Sequence, residues 1–188
     1  MQALSNNAAG TQNTAMGVNA GLSTSSGSNS TFVGAFAGDA NTTGSHNTGI
    51  GNHAAGASTT ASGVTAVGKN AAFSNLANYT TAVGYRALES NTSGSANVAV
   101  GLEALVSATT AANNTAVGYQ AGLSLTTGGN NVAIGYDALD AATTSSGNVA
   151  VGSQALSGVS TGNGRNTALG HLAGPALTTG DSNVVIGY

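Results

Sequence analysis

The sequence predicts an all-β chain wound as a parallel β-solenoid, and three observations predict it. First, Asn114-Thr115-Ala116-Val117-Gly118-Tyr119 returns nearly unchanged as Asn131-Val132-Ala133-Ile134-Gly135-Tyr136. Second, the glycine of that phrase recurs at Gly17, Gly34, Gly51, Gly68, Gly84, Gly101, Gly118, Gly135, Gly152, Gly170 and Gly187; ten intervals over 170 residues average 17. A fixed short period is the signature of stacked repeats. Third, the residues around that glycine are β-branched or small, which weakens a helix and suits a strand.

Each coil is numbered here so that the recurring glycine is position 5. Position 2 is Thr or Val in all eleven copies, and position 4 is apolar in all eleven, from Met16 and Val33 to Leu169 and Ile186. Alternation places positions 2 and 4 on one face of a short strand, read as the interior, and the mostly Ala position 3 on the other. Position 5 tolerates no side chain, so a tight bend or a close backbone approach is expected there. Position 8 is Ala in every complete copy, which fits a second short strand with a cramped inward residue. Position 1 is Asn in eight copies, expected to set turn geometry and to bond Asn on Asn along the stack. Position 7 runs Asn19, Phe36, His53, Asn70, Arg86, Glu103, Gln120, Asp137, Gln154, Leu172, and this freedom suggests exposure. Each coil closes in a polar turn such as Thr42-Thr43-Gly44 or Thr126-Thr127-Gly128.

About eleven coils spaced about 4.8 Å apart make a rod on the order of 50 Å long. The whole chain, 1–188, reads as one solenoid domain. Gln2-Ala3-Leu4-Ser5 matches Gln154-Ala155-Leu156-Ser157, and Tyr188 follows a position-5 glycine. Both ends therefore fall within a coil, and the expectation is a piece of a longer fibre. One interval is 16 residues and one is 18. The deletion is placed in 72–80, which lacks the turn glycine, and the insertion around 158–165.

Composition narrows the function. Only 5% of residues are charged, and Lys69, Arg86 and Arg165 are the only Lys or Arg. Three scattered cations do not neutralise a run of phosphates or hold an anionic bilayer, so neither nucleic acid nor a membrane surface is an expected partner. No apolar run approaches the 18 residues of a spanning helix. With no cysteine, there is no disulfide frame or thiolate chemistry.

Each coil offers little to a core: two β-branched residues, a few Ala and an occasional Leu. Ordering 17 residues costs about 1–2 kcal/mol each, against roughly 0.8 kcal/mol per buried CH₂. An apolar row at positions 3 and 6 (Val18, Tyr85, Leu102, Tyr119, Tyr136) runs the length of the rod. Identical chains burying that row on one another would supply the missing core.

The phrase N-[TV]-A-[VI]-G, with Ala three residues beyond the Gly, resembles the head repeat of trimeric autotransporter adhesins, the YadA-like head. It also resembles repeats of phage-type tail fibres. The likeness covers essentially all of the chain. The 17-residue coil and its Thr-Thr-Gly turn favour the tail-fibre-like branch. The resemblance implies a left-handed β-roll in a parallel homotrimer. It implies a cell-surface or extracellular location, or a virion tail fibre, and a role in attachment to host glycans or surface proteins.

Candidate chemistry is sparse. Gly63-Val64-Thr65-Ala66-Val67-Gly68-Lys69-Asn70 nearly spells a phosphate loop, but Asn70 replaces the hydroxyl residue and Gly68 is simply position 5. His46, His53 and His171 share no row, so no zinc site is expected. Asp137 and Asp140 are close, but the other acids are scattered and a smooth rod offers no cleft. No Ser/His/acid set shares a neighbourhood, so no enzyme and no cofactor is expected. The Thr row at position 2 raises an ice-binding alternative, which the Thr/Val exchange disfavours. For ligand contact the expected residues are Phe73 and Tyr79 in the irregular turn, with Phe36 and Arg86 in the position-7 row.

Overall fold

Three-residue strands are all that a 17-residue coil with four bends can hold. In the computed structural model, which describes residues 2–159 and 164–188, these strands are β1 (Thr14–Met16), β2 (Thr31–Val33), β3 (Thr48–Ile50), β4 (Thr65–Val67), β5 (Thr81–Val83), β6 (Val98–Val100), β7 (Thr115–Val117), β8 (Val132–Ile134), β9 (Val149–Val151), β10 (Thr167–Leu169) and β11 (Val184–Ile186). They form one eleven-stranded parallel sheet in sequence order. Each strand pairs with the next in register, position on position, as in Thr115↔Val132 and Val117↔Ile134. The chain is thus an all-β solenoid of 17-residue coils.

Register survives both irregular coils. Thr65 pairs with Thr81 across the short coil, and Val149 with Thr167 across the long one. The deletion falls in the turn: Leu76 N–H still donates to Thr92 O at 3.2 Å, and Ala77 follows at once where other coils have one more residue. The expected insertion at 158–165 lies largely outside the described residues.

The backbone turns through left-handed residues. Positions 7, 9 and 17 all have positive φ, for example Phe36 at 57°, Leu105 at 52° and Asn113 at 60°. No Thr, Val or Ile occupies any of these three rows, although the chain is rich in them. That exclusion is the steric signature of the left-handed region. Position 7 is therefore constrained, contrary to the expectation of a free exposed row, and its residues are half-buried. The second strand expected at position 8 does not form. Ala there sits between two left-handed residues in a turn, which extended pairing cannot accommodate. Its inward, cramped environment is as expected: Ala20, Ala54, Ala87 and Ala121 are 0% exposed.

The strand faces are inverted relative to expectation. Position 3 is the interior: Ala66, Ala82, Ala99 and Ala116 are 0% exposed. Positions 2 and 4 face outward. The physical reason is width. The opposite wall of the coil, made of the Ala at position 8 and its neighbours, lies so close that position 3 has room for a methyl group. β-branched side chains fit the pleat equally well on the outer face.

A buried Asn ladder runs through the wall at position 1. The Oδ1 of Asn97 accepts from Asn114 N at 2.9 Å, and the bond repeats from Asn114 to Asn131, Asn131 to Asn148, and Asn148 to Asn166. Each Nδ2 also reaches a turn carbonyl of its own coil, as Asn131 to Ser145 O at 3.0 Å. This satisfies polar backbone that a turn so tightly stacked would otherwise bury unpaired.

Candidate functional site

With the Thr/Val strand face outward, positions 2, 4 and 6 form one continuous surface along the rod. Its apolar members are open to solvent in the single chain: Met16 is 65% exposed, Ile50 41%, Ile134 37%, Leu169 50% and Tyr136 52%. Tyr119 and Tyr136, at position 6 of adjacent coils, stack at 5.3 Å with ring planes 9° apart. The Thr hydroxyls of position 2 lie on this surface as well. Charge is nearly absent from it, with Lys69 the exception. The lengthwise apolar row expected from sequence exists, but positions 2 and 4 build it and position 3 does not.

The flank beside it is made by positions 7 and 10. Phe36 stacks on His53 at 4.9 Å, 6° from parallel, and Phe73 meets His53 edge-on at 5.8 Å. Phe73 occupies the space that Gly56 leaves open; a Cβ there would stand 3.0 Å from its ring. Two of the four expected ligand residues, Phe36 and Phe73, thus share one aromatic patch through His53, a residue not expected to join them.

Arg86 is one row-step beyond Asn70 and is fully engaged. Its Nε donates to Glu89 at 2.5 Å and its Nη1 to Glu103 at 2.6 Å. Asn70 and Gln120 donate to the free oxygens of the same two carboxylates, each at 2.9 Å. Hydrogen bonding to Glu89, then its charge, raises the Arg86 pKa above the ordinary value. Tyr79 stands apart at position 17, 73% exposed, with its ring against Gly63.

The acids are quieter. Burial raises the Asp140 carboxyl above the usual range, and the nearby charge of Asp137 raises it further. Burial likewise raises Asp39, partly offset by its own backbone hydrogen bond and by His53. Among the described residues, no three His, Cys, Asp or Glu come together in a way that could hold a metal ion. No described helix is long and apolar enough to cross a membrane. The phosphate-loop look-alike is a left-handed Gly63, strand β4 and a position-5 glycine, with no helix for a phosphate to cap.

Sequence reasoning missed His53 as a stacking partner and Glu89, Glu103 and Gln120 as the seat of Arg86. The signal was there: residues 16 to 20 apart on one row are vertical neighbours once the coil length is known. Searches of family models, curated proteins and solved structures return no match for the chain.

Proposed function

We propose that this chain is a structural segment of a homo-oligomeric surface fibre that mediates or presents attachment to cells or surfaces. The observation that carries the reading is the outward face of positions 2, 4 and 6. It is apolar, nearly uncharged and repeated at every coil. A surface roughly 50 Å long and 13 Å wide offers about 650 Å² per copy before side-chain relief, near the roughly 800 Å² per partner of a stable interface. A second copy fits it because the row spacing of any copy matches that of its sisters. The resemblance to trimeric adhesin heads and tail fibres supports three parallel chains and an extracellular or virion setting.

In this reading the fibre works by geometry. A stiff rod holds a tip away from its anchor, and the half-buried Phe36–His53–Phe73 patch, repeated on each sister chain, gives weak contacts that add through multivalency. Glycan-array and cell-binding assays of the assembled rod test it. Saturable binding that Phe36→Ala and Phe73→Ala weaken is the expected result. An intact fibre that binds nothing would leave only a spacer.

The outward Thr row favours one second reading, an ice-binding rod, because its hydroxyls lie on the exposed face of the single chain. Thermal hysteresis in a freezing solution would identify it.

A further inference from the structure

We propose that coils 3 and 4, residues 48–79, form a yielding joint that divides the rod into two cooperative blocks and is held shut from outside by side-chain staples. The inference does not depend on the functional reading above.

The inside of these coils is thin. Coil 2 is filled by Phe32, and coils 5 to 9 by Leu88, Leu105, Leu125, Leu139 and Leu156, all 0–1% exposed. Coils 3 and 4 carry Gly49, Ala55 and Ala72 at the matching inward rows, with Val64 their one larger buried apolar residue. The buried apolar cluster around Phe32 and Ala37 is separate from the one that begins at Ala54.

Two hydrogen-bond ladders fail at the same place. Val64 and Thr80 occupy the Asn row, where a valine side chain accepts nothing, and the buried Thr80 Oγ1 has no partner. Ser58 Oγ, buried in coil 3, has none either. Along position 13, hydroxyls donate to the next coil's carbonyl, as Thr42 to Thr59 at 3.0 Å, Thr109 to Thr126 at 3.1 Å and Thr126 to Thr143 at 2.9 Å. In coil 4 that row holds Leu76, which has no hydroxyl.

What bridges the gap lies mostly on the flank. The Phe36–His53–Phe73 stack spans coils 2 to 4, and the Asn70–Glu89–Arg86–Glu103–Gln120 chain spans coils 4 to 7. One buried rung, Asn91 Nδ2 to Asn75 Oδ1 at 2.5 Å, remains inside. Stability in a stacked array is a sum over units and neighbour contacts, so the least-filled units open first.

Hydrogen exchange of the intact chain, in its solution assembly, tests this. Peptides from 48–79 should exchange about tenfold or more faster than those from 98–151. Val64→Asn with Thr80→Asn, which restores the ladder, should narrow the gap. Arg86→Ala should widen it, and so should added salt. Equal protection of the two segments in the unmodified chain would overturn the proposal. So would a fast 48–79 segment whose rate the restored ladder leaves unchanged.

Discussion

A Cβ built on Gly34 would stand 2.6 Å from the carbonyl oxygen of Gly51, the residue directly above it one coil on. Rung spacing at this corner is set by backbone against backbone, so no side chain can be admitted without parting the strands. Gly34 also has φ +130°, a conformation closed to residues with a Cβ.

Gly34→Ala should therefore cost about 3 kcal/mol or more, combining strain with the clash. Urea unfolding of the pair checks it. A loss below about 1 kcal/mol would show that the corner can relax.

Asn131→Ala should cost about 2–4 kcal/mol, because it leaves Ser145 O and Asn148 N buried without their partners. Thermal unfolding would show the loss. Thr115→Val, a change on the outer face one coil away, serves as the control and should cost little in the isolated chain.

Phe32 is accommodated by absent side chains: Cβ atoms at Gly21 and Gly49 would stand 3.0 and 3.1 Å from its ring. Phe32→Ala should destabilise by about 3–5 kcal/mol through a cavity. Adding Gly49→Ala should recover part of that loss, whereas Gly49→Ala alone should destabilise. Additive losses in the double variant would contradict the packing described.

Stability near Asp140 should fall as pH rises. Its carboxyl is raised in the folded chain, so the folded state holds the proton more tightly than the unfolded state does. The destabilisation is absent below about pH 4, the unfolded value, and grows as pH rises through the raised folded value. Asp140→Asn should therefore stabilise at pH 7, by under about 1 kcal/mol given its partial exposure, and confer no advantage at pH 3. Melting temperatures at the two pH values check the sign.

Much of the architecture was legible in the residues. The glycine spacing gives the coil, the Thr/Val–x–apolar triplet gives the strand, and Asn at position 1 gives the ladder. What was misread is which side of the strand is inside. β-branched side chains report a pleated backbone, not burial, so Thr115 and Val117 carry no label for their face. The better clue was size: Ala116 and Ala121 are small because they meet across a narrow interior. The left-handed rows were legible only as an absence, since nothing at Phe36 or Leu105 announces a positive φ until every β-branched residue is seen to be missing there. The flank clusters needed vertical adjacency, which His53 and Glu103 acquire only after the coils are stacked.

The account turns on whether sister chains cover the outward rows of Thr115, Val117 and Tyr119. Light scattering of the purified chain measures this most directly. A stable assembly at a multiple of 17.8 kDa, with three copies the value favoured by the resemblance, is the predicted result. A folded monomer that persists at high concentration would contradict it.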